Sequence, residues 1–150
     1  MPGARIIHVQ RDPRDIALSN FQQNFKARHG GMGYAFSLAH IASQINDYHR
    51  LMNHWREVLP RPMLEIRYES MVADQEQTSR DLLSALGLEW DDALLGFHKS
   101  RRPVRTASLS QVREPIYDSS VQKWRRYEEF LTPLLEQLDP AVLEGWDPAV

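Results

Sequence analysis

Residues 4–21 read ARIIHVQRDPRDIALSNF, and the break at Arg11-Asp12-Pro13 decides what fold can hold them. Ile6, Ile7 and Val9 form a short β-branched run, which reads as a buried strand. The run stops abruptly, and a helix is expected to begin at once. Asp12 can serve as N-cap, Pro13 suits the first helical position with its fixed φ, and Asp15 supplies the acid of a capping-box-like pattern. This helix is expected to continue to about Ala27, with Gly30-Gly31 ending it.

Downstream, Ile41, Ile45, Tyr48, Met52, Trp55 and Leu59 recur at steps of four and three, while Asp47, Arg50 and Glu57 fall off that stripe. Such spacing predicts a long amphipathic helix, stopped by Pro60 and Pro62. MLEIRY, residues 63–68, alternates as a second short strand or extended segment ending at Tyr68. Asp74 and Gln77 are expected to cap a helix that runs to Gly87, with Leu82, Leu83 and Leu86 as its core face, and Asp91 to begin a shorter one near residues 93–98. Residues 99–118, with Pro103, Pro115 and scattered Ser and Arg, read as an irregular loop, after which helices resume near Ser119 and Pro133. Strands alternating with helices make the chain α/β, mostly helical with two short strands that belong to a parallel sheet.

With 150 residues, 42% hydrophobic and 25% charged, the chain has the balance of one ordinary soluble domain, read as spanning residues 1–150. No run approaches the roughly 20 apolar residues of a membrane span, and the apolar stretch at the N-terminus is too short for a signal peptide. The default compartment is the cytoplasm. With no cysteine, disulfides, thiolate catalysis and cysteine-bound metal are excluded. His49 and His54 do not share a helix face well, and no metal is implied. The net charge of -2 argues against a nucleic-acid binder, yet residues 95–126 carry a local balance of +6 while residues 127–150 hold only acids.

A strand that ends at Arg11 and turns into a capped helix aims backbone N–H groups, the positive end of the helix dipole and a guanidinium into one small region, a place that attracts phosphate. Ser19, about two turns into the helix, can donate its hydroxyl to an anion held by the planar fork of Arg11. The pattern alone equally admits an Arg11–Asp15 pair with Ser19 solvated.

The stretch ARIIHVQRDPRDIALSNF resembles the 3'-phosphate-binding signature of sulfotransferases, an Arg at a strand end with a Ser eight residues later. The resemblance implies that Arg11 and Ser19 hold the 3'-phosphate of 3'-phosphoadenosine 5'-phosphosulfate (PAPS). MLEIRYESMVAD, residues 63–74, is similar to the family's strand and Tyr-Glu segment and implies that Tyr68 lies near the adenosine; by residue type alone a tyrosine there is more commonly a core residue at a strand end. VRTASLSQVREPIYDSSVQKWRRY, residues 104–127, resembles the C-terminal donor-site loop of bacterial and tyrosylprotein-type sulfotransferases and implies that Ser108 and Lys123 approach the 5'-phosphosulfate; by residue type alone Lys123 also reads as an exposed helix cation beside a buried Trp124. Where many relatives have a Gly before the basic residue, this chain has Gln122. Fixed cations and hydroxyls there suit the charge that develops on phosphate oxygens during in-line transfer. Arg113, Arg125 and Arg126 read as surface charges.

The resemblance implies a P-loop NTPase-like sulfotransferase fold and transfer of a sulfuryl group from PAPS, without a metal, to an acceptor hydroxyl on a tyrosyl peptide, sugar or lipid. The family's Gly-rich 5'-phosphosulfate loop is not found: Gly30-Gly31-Met32-Gly33 lacks a preceding strand and a basic residue. The chain is therefore expected to be the C-terminal portion of the domain, its partner a missing N-terminal half that carries the loop and the general base. No catalytic residue is assigned, and the isolated chain is expected to be inactive. The rival expectation is a non-catalytic module that binds 3'-phosphoadenosine, or a protein partner through the helix stripe.

Overall fold

A computed structural model describes residues 3–23, 31–99 and 114–146. Its chain divides into two compact units, one formed by Met1–Gln10 with Met63–Ser119 and the other by Arg11–Pro62 with Ser120–Val150.

The first unit contains β1 (Ile7–Gln10) and β2 (Leu64–Arg67), followed by α3 (Tyr68–Ala73), α4 (Gln75–Leu86) and a 3₁₀ segment over Asp92–Lys99. The strands run parallel, Ile7 opposite Leu64 and Gln10 opposite Arg67, as expected of strands joined by a long crossover. Asp74 caps α4 by accepting the Gln77 N–H at 2.9 Å, and Gly87 closes it in the left-handed region at φ 71, a conformation glycine adopts without a Cβ penalty. Two expectations are corrected here. The β1 strand is not buried: Ile7 is 41% and Val9 60% exposed, while the alternating His8 is only 8% exposed and bonds Glu65 across the ladder at 3.1 Å. Period-2 alternation puts Ile7 and Val9 on one face, and in a two-stranded ribbon that face stays open to solvent. Tyr68 does not end a strand but opens α3, with Arg67 as its N-cap residue.

The second unit contains α1 (Pro13–Gln22), a 3₁₀ turn over Gly33–Phe36, α2 (Leu38–Val58), a longer 3₁₀ segment over Lys123–Phe130, α5 (Thr132–Leu135) and α6 (Pro140–Leu143). Here α1 is shorter than expected. Gln23 is already extended and its N–H closes back on Ser19 and Asn20; residues 24–30, where the expected end falls, lie outside the described residues. The core gathers Ala17 and Leu18 from α1, Ile41, Ala42 and Ile45 from α2, and Trp124, Leu131, Leu134, Leu138 and Val142 from the C-terminal segments. Along the expected stripe Ile41 and Ile45 are buried and Met52 and Leu59 half-buried, whereas Tyr48 and Trp55 remain exposed.

Asn46 of α2 reaches the C-terminal turns with both ends of its amide, donating to the Gln137 carbonyl at 2.8 Å and accepting the Asp139 N–H at 3.0 Å. The sequence reading did not foresee α6, although Asp139-Pro140 repeats the Asp12-Pro13 start signal: Asp139 accepts the Ala141 N–H at 3.0 Å.

Candidate functional site

The start of α1 is built from buried charge. Asp12 caps the helix by accepting the Arg14 N–H at 2.8 Å, and the Arg14 guanidinium closes a bidentate pair on the same carboxylate, Nε to Oδ1 at 3.0 Å and an Nη to Oδ2 at 2.9 Å. Both side chains are about 95% buried, each at 5% relative exposure. Trp124 locks onto the pair from 112 residues away: its Nε1 donates to Asp12 Oδ2 at 3.2 Å, and the Arg14 guanidinium stacks 4.0 Å from its ring centroid. A buried charged pair requires such saturation, since an unmatched charge there is expensive to desolvate.

Asp15 does not complete a capping box. Its side chain, 2% exposed, turns instead to the segment ahead of Trp124, accepting the Gln122 N–H at 2.7 Å on one oxygen and the Trp124 N–H at 2.9 Å on the other. Burial pushes the Asp15 carboxyl above its ordinary value, opposed by the Trp124 N–H and by the Arg11 charge; Asp12 adds to the rise and the Gln122 N–H reduces it. Gln122 itself is left-handed at φ 53, the one non-glycine residue with positive φ among those described. The departure from Gly noted in the sequence thus falls where the backbone adopts the conformation that glycine tolerates best.

Arg11 lies just before the helix and donates from an Nη to the Ser120 carbonyl at 2.7 Å. At the other end of α1, Lys123 Nζ donates to Gln22 Oε1 at 2.9 Å. Residues 120–124 are therefore bound to α1 and the two residues ahead of it, through Arg11, Asp12, Arg14, Asp15 and Gln22. Asp15, Ser19 and Gln22 stand at i, i+4 and i+7, on one face of the helix. Ser19 is exposed, on the face against which the 122–124 turn is bound. The helix start offers less to an external anion than the sequence suggested, because Pro13 has no N–H and the Arg14 N–H is used by Asp12.

Arg11, Ser19 and Lys123 thus share one side of α1. Tyr68 belongs to the other compact unit, and Ser108 lies outside the described residues. A cleft of about 360 Å³ between β2 and α4 has Glu65, Arg67, Ser70, Thr78 and Asp81 in its lining, but none of the sequence-derived site residues. Sequence reasoning missed Asp12–Arg14 as a buried pair and Asp15 as the support of a distant turn. The charge-dense Asp12-Pro13-Arg14-Asp15 run was visible, but its partners lie more than 100 residues away and carry no local signal. Among the described residues no group of three or more His, Asp or Glu is arranged to hold a metal, and no helix is long and apolar enough to cross a membrane.

Two comparisons bear on this geometry. Residues 1–92 match the profile of the sulfotransferase family, a stretch that holds Arg11, Ser19 and Tyr68 but ends before Ser108 and Lys123. The chain is also 44% identical over 149 residues to an uncharacterized protein of Aquifex aeolicus (strain VF5), a match covering 99% of this chain and 20% of that protein. The chain spans about a fifth of the length of that relative.

Proposed function

Because the chain belongs to the sulfotransferase family, we propose that it supplies the 3'-phosphate side of a PAPS site in an enzyme that transfers a sulfuryl group to an acceptor hydroxyl. The observation that carries this reading is the sharing of one side of α1 by Arg11, Ser19 and Lys123 through the ties of residues 120–124. In the proposed roles, Arg11 and Ser19 hold the 3'-phosphate, Tyr68 contacts the adenosine, and Ser108 and Lys123 face the 5'-phosphosulfate. Lys123 bonds the neutral amide oxygen of Gln22, a partner that brings no countercharge, while Arg11 donates to the Ser120 carbonyl and its charge acts on Asp15. A phosphate would supply the matching charge with charge-assisted hydrogen bonds.

In the proposed reaction the acceptor oxygen attacks sulfur, the bond from sulfur to the bridging phosphate oxygen breaks, and 3',5'-bisphosphoadenosine leaves with the negative charge that cations such as Lys123 stabilise. The hydroxyl proton passes to a base that is not assigned on this chain. Tyrosyl peptides, sugars and lipids are all acceptors of the required chemistry. PAPS serves as co-substrate, and no metal is needed for the roles named.

Calorimetric titration tests the donor reading. Arg11→Ala is expected to weaken binding of adenosine 3',5'-bisphosphate by about 1.5 to 3 kcal/mol, the worth of a charge-assisted hydrogen bond, and to leave adenosine 5'-monophosphate nearly unaffected. Equal loss for the two nucleotides would remove Arg11 from the 3'-phosphate.

A further inference from the structure

Asp15 is a carboxylate with no place in the donor roles above, yet it is almost fully enclosed and spends both oxygens on backbone N–H groups that flank Lys123, those of Gln122 and Trp124. Successive N–H groups around a left-handed residue form a small concavity that favours an anion, and here the anion is part of the chain. The backbone at Gln122 is held at φ 53, a conformation disfavoured for a residue with a Cβ. A turn that disfavours its own backbone conformation persists only when its surroundings hold it, and Asp15 is the group that does so on the α1 side. Burial also disfavours the ionised form of this carboxyl.

We infer that Asp15 is a positioning residue of the donor site, one that fixes the 122–124 turn so that the Lys123 ammonium stands on the α1 face that carries Arg11 and Ser19. This rests on the donor-site reading above. Asp15 touches no nucleotide in this arrangement; it acts through Lys123. An amide in its place can accept one of the two N–H bonds but presents an NH2 group to the other, so Asp15→Asn loosens the turn without removing a cation. The cost is expected to appear as weaker nucleotide binding in a chain that is still folded.

The test is a double-mutant cycle with adenosine 3',5'-bisphosphate as probe, each variant checked for folding by circular dichroism. On the wild-type background Asp15→Asn is expected to weaken binding about tenfold, roughly the worth of one hydrogen bond. On the Lys123→Ala background the same change should weaken it less than about twofold, because the side chain it positions is gone. A purely structural Asp15 would cost the same factor in both backgrounds, and that result overturns the inference; so does unchanged affinity in Asp15→Asn. If Asp15→Asn alone does not fold, the cycle is run on the Gln122→Gly chain, whose turn needs less support, with the same expectations. Failure of the donor reading looks different: the wild-type chain itself does not bind the bisphosphate, and both proposals then fall.

Discussion

The two compact units meet the same problem, burying the apolar residues of a short chain, with unequal success. The helical unit, Arg11–Pro62 with Ser120–Val150, closes a core around Ile41, Leu131 and Leu134, and Trp124 of that core joins a buried network with Asp12, Arg14 and Asp15. In the strand-bearing unit, among the described residues, His8 alone is buried, and Ile7, Val9, Leu88 and Leu94 face solvent. The difference lies in geometry. An amphipathic helix needs cover on one stripe, which α1, α2 and the C-terminal turns provide for one another, whereas a parallel sheet needs cover on both faces and more than two strands. Arg11, Ser19 and Lys123, three of the residues proposed for the donor, belong to the unit with the firmer support.

The largest effect should separate the units directly. Leu134, 0% exposed, is enclosed by the helical core, and Leu134→Ala is expected to lower stability by about 2 to 5 kcal/mol in chemical denaturation. Val9→Ala, at an exposed strand position, should lower it by less than about 0.5 kcal/mol. Comparable losses would mean that β1 is buried in solution, by association or by further chain.

A smaller effect tests the turn on which Lys123 depends. Relief of a left-handed conformation is worth about 1 to 2 kcal/mol, from which the extra backbone entropy of glycine removes about 0.5 to 1. Gln122→Gly should therefore raise the denaturation midpoint by the equivalent of about 0.5 to 1 kcal/mol. A fall in the midpoint would show that the Gln122 side chain, which accepts from Arg125 Nε at 3.3 Å, outweighs the strain.

The smallest effect concerns pH. Asp15 titrates above its ordinary value of 3.8 in the folded chain because burial disfavours its charge. A raised folded value means that the group's stabilising contribution is fully present below 3.8 and is lost as pH rises through the folded value. The stability of wild type minus that of Asp15→Asn should accordingly grow as pH falls from neutral through that window. A difference that stays constant or shrinks on acidification would mean that the two N–H bonds and Arg11 outweigh burial.

Local chemistry made much of this architecture legible in advance. Asp12 and Asp74 cap their helices as their residue type and spacing indicated, Gly87 ends α4, and the strands over Ile7–Gln10 and Leu64–Arg67 pair in parallel as an α/β chain requires. That Arg11 directly follows a strand and Ser19 lies within the helix after it was also visible. Tyr68 was not legible as a helix start, because a tyrosine after an alternating run continues a strand pattern as readily as it opens a helix. The α2 stripe was correct in period but silent on how far along it cover would extend.

Sequence alone thus determined where α1 and α4 begin and where α4 ends, since capping, proline geometry and side-chain periodicity act over a few residues and are written in local order. Tertiary structure alone decided that Asp15 serves a turn 107 residues away, that Arg14 stacks on Trp124, and that Ile7 and Val9 go uncovered. Those outcomes depend on which distant segments approach. A carboxylate looks the same in sequence whether it caps its own helix or holds another segment, and only the packed chain chooses between them.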